Sequence, residues 1–335
     1  CHGKNSQKRG TRRGKIKFFC VACGKWFQLN RGQRRLRVQT LALAHLSGVS
    51  FRCLAELHGL SVGNVYSKVE GYLNSLPHCA DVTRKYCNAY SGILLVDGKY
   101  VAVKGQDRKI PVLYGIDYTT HDIPHYLLSL AENYQTCLAF FKSLRLLNYP
   151  LRALVCDENT NIYQACQYVY PNVAVQSCQN HYKENIRRGL DLTTNPDHVP
   201  FMREIEDLFS FKRSKEDFDQ KAKAIFDRFS SNQIYLETLL GIQKNMNLLT
   251  GWRGTQGVPT TTNLIECFNS HLQGRLKTIK GFETFKHADI WLNGYFLRRR
   301  TKKFTDCTGK FKILNGKTSL HRAKMASAVL PSYFT

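Results

Sequence analysis

Residues 91–105 read SGILLVDGKYVAVKG. Four apolar residues, Ile93 to Val96, run into Asp97, and Gly98 then interrupts them. A short apolar run closed by a turn signal is the pattern of a buried strand. We expect a strand that ends on Asp97, then a turn and a second strand. Moving outward, residues 109–132 continue as an antiparallel meander with a turn at Thr119 to Asp122. ENYQTCLAFFKSLRLLN, residues 132–148, has the apolar spacing of an amphipathic helix. LRALVCDENTN, residues 151–161, is another buried strand, ending on Asp157. IYQACQYVYP is a helix stopped by Pro171, and NVAVQSC, residues 172–178, is a further strand.

The order is β-β-β-α-β-α-β-α, a meander followed by α/β alternation, which is the order of an RNase H-like domain. In that fold the first and fourth strands are adjacent, so Asp97 and Asp157 would lie close together. Like charges at that distance repel unless a cation sits between them, and hard oxygen ligands suit Mg²⁺ (or Mn²⁺). Two such ions can activate a water or a 3′-hydroxyl for in-line phosphoryl transfer. The bland alternative is that each Asp only forms a turn. Asp107, Asp117 and Asp122 rank lower because they lie in turns without a preceding buried strand, and Glu158 is a weaker alternative to its neighbour Asp157.

A third carboxylate would complete such a site. TTTNLIECFNSHLQGRL, residues 260–276, holds only one acid, Glu266, between Glu237 and Glu283. It reads as the start of a helix. With Asn263 as N-cap, Glu266 stands where a capping-box acid belongs, so capping and metal ligation are both open.

The chain has 335 residues, 43% of them hydrophobic, enough for two or three packed units. It has no apolar run of membrane-span length and no secretory signal pattern. It begins with Cys1 rather than Met, which suggests a start inside a longer protein. The formal charge of +24 is concentrated at the ends: residues 1–55 carry thirteen Lys or Arg and no acid, residues 267–335 net +11, and the middle is neutral. A neutral body with two basic ends points to a polyanion partner, most simply DNA, over solvated surface charge. Twelve scattered cysteines suit buried thiols in a reducing cytoplasm, here nucleoid-associated.

At the N-terminal end Cys20 and Cys23 form a CxxC knuckle after an aromatic strand, KIKFFC. Structural zinc needs four ligands, so Cys1, as the remnant of an upstream knuckle, or His2 would contribute; a redox pair is the rival reading. Residues 36–76 then read as three short helices. Leu41, Leu43, Leu46 and Val49 line the first; Ser50 caps the second; Gly59 turns; Ser61 caps the third, with Val62, Val65, Val69 and Leu73 inside. This is a helix-turn-helix pattern whose third helix would enter the major groove with Asn64, Tyr66, Ser67 and Lys68, unless it is an ordinary helical bundle.

Several motifs in order resemble the Mutator-like transposases and their bacterial insertion-sequence relatives: LLVDGKYV, LVCDENTNIYQA, VYPNVAVQSCQNHYKENIRR with its Cys178 and His181 pair, and TTNLIECFNSHLQGRLK. The resemblance covers residues 90–300. It implies a DDE transposase with Asp97, Asp157 and Glu266 as the Mg²⁺-binding triad. It also implies a helical insertion at 191–254, which accounts for the 109 residues from Asp157 to Glu266. Trp252 would stack on a flipped or hairpin base, unless it is a core or docking residue. Cys178 and His181 are spaced to seat a metal, but two ligands are too few, so a structural or DNA-positioning role near the active site is expected over metal ligation. Many relatives carry Arg after the catalytic Glu, where this chain has Cys267. Arg298, Arg299, Arg300, Lys302 and Lys303 would contact phosphates.

The expected architecture is therefore α/β: a truncated zinc ribbon (1–33), a helix-turn-helix (34–78), an RNase H-like core (89–190 and 255–305) split by an all-helical insertion (191–254), and a basic C-terminal tail (306–335). The expected activity is Mg²⁺-dependent DNA cleavage and strand transfer at element ends and target, by a homodimer or larger assembly with no membrane association. The alternatives are a repurposed DNA-binding regulator and a structure-specific nuclease.

Overall fold

The computed structural model of the protein describes residues 5–12, 15–28 and 37–334. Three antiparallel strands come first: β1 (Ser6–Arg12), β2 (Lys15–Cys20) and β3 (Trp26–Gln28). Three short helices follow, α1 (Val38–Leu46), α2 (Phe51–His58) and α3 (Val62–Asn74). The Ser50 hydroxyl accepts from the Cys53 N–H and the Ser61 hydroxyl from the Asn64 N–H, and Gly59 closes α2 with φ 61°. Leu41, Leu54, Val65, Val69 and Leu73 are buried. Val62 is exposed, contrary to expectation: it lies in the first turn of α3, and the buried stripe begins at Val65.

Next come α4 (Cys79–Tyr86), β4 (Ile93–Val101), β5 (Ile110–Asp117), β6 (Tyr126–Leu128), α5 (Tyr134–Leu146), β7 (Ala153–Cys156), α6 (Thr160–Val169), β8 (Ala174–Ser177) and α7 (Gln179–Leu190). The helices α8 (Val199–Leu208), α9 (Lys215–Phe229), α10 (Gln233–Lys244) and α11 (Met246–Leu249) precede α12 (Asn263–Ile279), α13 (Phe285–Thr301) and α14 (Ser319–Ala323).

Strands β4 to β8 form one mixed sheet in the order β6-β5-β4-β7-β8, so the fold is mixed α/β. β6, β5 and β4 pair antiparallel, whereas β4, β7 and β8 run parallel. One expectation fails here. β4 does not stop at Asp97 but continues unbroken to Val101, because residues 97–101 all find partners on β5, Asp97 opposite Tyr114. Gly98 is needed less for a turn than for room: a Cβ there would stand 2.7 Å from the Glu132 carboxylate.

Alternation along β4 sends Leu94 and Val96 to one face, against Phe140 and Phe141 of α5 and Ile162 and Cys166 of α6. Leu95 points to the other face, into a core shared with Trp291 and Phe296 of α13 and with Leu41, Val65 and Leu73 of the three N-terminal helices. Asp97 follows Leu95 in phase and so faces α12. Helices α8 to α11 enclose a separate core built on Phe201, Ile205, Phe218 and Ile242, joined by Tyr182 of α7. This helical unit is pinned to the sheet at Gly251, where a Cβ would fall 1.9 Å from the Val175 carbonyl oxygen.

The last residues are not a loose basic tail. Leu314, Leu320 and Ala323 are buried, the Ser319 hydroxyl donates to Asp122 at 2.9 Å, and the Met325 N–H donates to the Tyr86 carbonyl at 2.7 Å. Lys and Arg flank these apolar residues in sequence and hide the stripe.

Candidate active site

The parallel register pairs Leu95 of β4 with Val155 of β7, so Asp97 on β4 and Asp157, the residue just after β7, stand at matching heights. Asp97 accepts from the Gly98 N–H at 2.8 Å and from the Asn269 amide at 2.6 Å. Burial first, and the negative charge of Asp157 next, push the Asp97 carboxyl up to about 6. Asp157 accepts from the Asn159 N–H at 3.1 Å. Among the described residues neither acid has an ion-pair partner. Glu132, which sequence reasoning missed, adds a third carboxylate: it accepts from the Tyr100 hydroxyl at 2.6 Å and from the Asn159 amide at 2.7 Å, and its charge also bears on Asp97. The group is short of positive charge and rich in hard oxygen donors, which fits a divalent cation such as Mg²⁺.

Glu266 is carried by α12, which meets β4 through Asn269. Asn269 lies one turn further along that helix, on the same face. Its amide orientation is fixed, because its carbonyl accepts from the Tyr114 hydroxyl at 2.9 Å while its NH₂ donates to Asp97. The capping-box reading of Glu266 does not hold. The N-cap is Thr262, not Asn263, and the Glu266 carboxylate accepts from the Thr262 hydroxyl at 2.7 Å rather than from a cap N–H. Thr262 in turn donates its N–H to the Cys178 thiol at 3.3 Å, and its hydroxyl lies 3.4 Å from His181 Nδ1. His181 Nε2 stands 3.7 Å from Glu266. Cys178, His181 and Glu266 thus offer ligand atoms within 4.8 Å of one another. Cys178 and His181 nevertheless already engage Thr262, and they read as the fastening of the start of α12.

A sequence model described as "Transposase, Mutator family" matches residues 31–288. The chain belongs to the Mutator family of transposases. No curated protein sequence matches it. One solved structure similar in outline is the Drosophila P element transposase strand transfer complex, 13% identical with a TM-score of 0.40, covering 82% of this chain and 94% of that one. That likeness is too distant to add to the family assignment.

The basic residues of this transposase divide by burial. Arg300 is not available to a phosphate: it is fully buried, donating through Nε and Nη2 to the two Asp122 oxygens at 3.0 and 2.7 Å, and through Nη1 to the Cys79 carbonyl at 2.9 Å. Arg298 and Arg299 are half-buried, and Lys302 and Lys303 are exposed. On α3, Asn64, Ser67 and Lys68 are exposed, whereas Tyr66 is edge-on to Phe51 and His287 at 5.4 and 5.7 Å and is partly spent on packing. Trp252 is half-buried against the main core, its backbone N–H donating to the Gln176 side-chain carbonyl at 2.9 Å and its ring lying under Lys212 Nζ at 4.9 Å.

Two rival acids are consumed structurally. Asp117 does follow a buried strand, but its carboxylate accepts from Ser91, Gly92, Thr120 and Tyr149, and Asp122 pairs with Arg300. Cys20 ends β2 buried and Cys23 is exposed in the adjoining turn, where Gly24 has φ 67°. The Cys23 backbone N–H, then its side chain, lower the Cys20 thiol, which favours the thiolate that zinc needs. Cys1 and His2 lie outside the described residues.

Proposed function

We propose that this transposase cuts and joins DNA through a DDE triad, Asp97, Asp157 and Glu266, on an RNase H-like core. The Asn269 to Asp97 hydrogen bond carries the reading, because it ties the face of α12 that bears Glu266 to the strand that bears Asp97. The sheet order supports it: three antiparallel strands followed by two parallel ones, with Asp97 on β4 and Asp157 directly after the adjacent β7. Bound Mg²⁺ or Mn²⁺, two ions in the full site, would activate water or a 3′-hydroxyl and neutralise charge on the leaving oxygen.

The chain's own residues do the rest. Asp97, Asp157 and Glu266 hold the ions; Glu132 adds negative charge beside Asp97; Thr262, Cys178 and His181 position Glu266. Helices α1 to α3 act as a helix-turn-helix on the element's terminal repeats, with Asn64, Ser67 and Lys68 toward the groove. Trp252 takes an unstacked base. Cys20 and Cys23, with Cys1 or His2, hold a structural zinc. Two ends must be brought together, so the working form is a dimer or larger.

The test is Mg²⁺-dependent cleavage and joining of DNA that carries the element ends, comparing the unchanged protein with Asp97→Asn, Asp157→Asn and Glu266→Gln. Each substitution is expected to abolish both steps while DNA binding persists. Retained chemistry in Glu266→Gln would remove that residue from the triad. Cleavage without joining by the unchanged protein would favour a nuclease.

A further inference from the structure

Spacing along the chain offers two metal donors, Cys178 and His181, and the fold brings a third to them. Cys178 is the fully buried N-cap of α7, and His181 stands one turn further along that helix. Glu266 arrives from the first turn of α12. The three ligand atoms lie within 4.8 Å of one another, with His181 Nε2 3.7 Å from Glu266. At metal–ligand distances of about 2.0–2.3 Å, tetrahedral ligands stand roughly 3.5 Å apart, so a small closure completes the set around one ion. His181 and Glu266 are half-exposed, which gives an ion its way in.

The fastening of α12 through Thr262 does not use up these atoms; it orients them. The Thr262 hydroxyl donates its one hydrogen to Glu266 at 2.7 Å, so toward His181 it can only accept. The hydrogen of a neutral His181 ring therefore belongs on Nδ1, and Nε2 presents a lone pair to the carboxylate. Two electron-rich atoms facing each other at 3.7 Å repel unless a cation stands between them. A histidine whose Nδ1–H is held by an outer partner while Nε2 faces the other donors is arranged as metal-ligating histidines are. The Cys178 sulfur accepts the Thr262 N–H at 3.3 Å, a bond that strengthens once the sulfur is ionised. Thiolate and imidazole are poor partners for Mg²⁺ and good ones for zinc.

We infer that Cys178, His181 and Glu266 form a binding site for Zn²⁺, and that zinc held there withdraws Glu266 from the Mg²⁺ of the triad. Binding releases the Cys178 thiol proton to solvent and leaves the fourth tetrahedral position to water. A carboxylate oxygen committed to zinc is lost to Mg²⁺, so the two metals compete for one residue. The zinc site stands on its own geometry; the competition rests on the DNA-cutting reading above.

Cobalt(II) serves as the probe, because a thiolate bound to it gives an intense near-ultraviolet band. It is added to the full chain carrying Cys20→Ser and Cys23→Ser, so that the N-terminal sulfurs do not contribute. The band should appear and be bleached by zinc. It should vanish in Cys178→Ser and lose at least about 100-fold in affinity in His181→Asn, more than an outer partner costs. It should persist in Cys267→Ser, whose thiol is exposed on α12 outside the trio. In the chain that keeps Cys20 and Cys23, His181→Asn should lower bound zinc by about one equivalent. Absence of the band, or its survival in both Cys178→Ser and His181→Asn, overturns the site.

Zinc should also raise the Mg²⁺ needed for half-maximal cleavage of element-end DNA, with the full rate regained at high Mg²⁺. His181→Asn, measured against its own zinc-free rate, should resist. Equal inhibition of His181→Asn, or inhibition that Mg²⁺ does not relieve, overturns the competition for Glu266. If the unchanged protein cuts no DNA in Mg²⁺ alone, the DNA-cutting reading fails, and the cobalt band still decides the metal site.

Discussion

Thr262 is the residue on which the geometry of Glu266 turns. Its hydroxyl donates to the carboxylate and faces His181, and its N–H is held by the Cys178 thiol. Thr262→Val keeps the shape and removes the hydroxyl. Outer-shell partners of metal ligands are worth about 10–100-fold in affinity or activity. Cleavage titrated with Mg²⁺ should therefore need correspondingly more metal, with the fold intact by circular dichroism; an unchanged titration would reduce Thr262 to a cap. Asp157→Asn should act in the opposite sense on stability. It removes the charge that, after burial, raises Asp97, so the melting temperature of the metal-free protein should rise slightly while all chemistry is lost. The side-by-side placement of the two aspartates was legible because each follows an apolar run. Glu132 and Thr262 were not, because their roles come from contacts across the fold that no local spacing announces. Asn269 could have been found, as it lies one helical turn from Glu266.

Helix α13 shows how an element sorts residues that look equal in sequence. Arg298, Arg299 and Arg300 read as one basic patch, yet only Arg300 continues the four-residue spacing of Leu292 and Phe296 and turns inward with them. That phase was available in the sequence; the charge run concealed it. Inside, Arg300 and Asp122 form an ion pair with both side chains fully buried. Removing one partner of such a pair leaves an uncompensated charge and costs about 3–5 kcal/mol. Asp122→Ala should therefore lower the denaturant midpoint sharply without a change in m-value, whereas Arg298→Ala should not. Strand β4 illustrates the converse. Glycine after Asp97 looked like a chain reversal, but the ladder with β5 overrode that local signal, and the close approach of Glu132 explains why glycine is there.

Across the whole molecule, the three N-terminal helices and the basic C-terminal end are not appendages of a neutral body. The three N-terminal helices share one core with α13, and the last residues close over the same core through Leu314, Leu320 and Ala323. Charge composition pointed to the polyanion partner, but it could not reveal this packing, because lysines and arginines separate the few apolar residues that bury. The consequence can be measured by removing residues 306–335. A disordered basic tail would leave the melting temperature where it was and reduce only DNA affinity. The observed packing predicts otherwise. Two fully buried leucines are worth about 1.5–3 kcal/mol each, and the lost Ser319 bond leaves the buried Asp122 short of a donor. The truncated protein should lose on the order of 5 kcal/mol. Because the core is shared, that loss should appear as a single cooperative transition at lower temperature by calorimetry. Two separate transitions, with the sheet melting at its original temperature, would mean that the N-terminal helices and α13 unfold independently of the sheet.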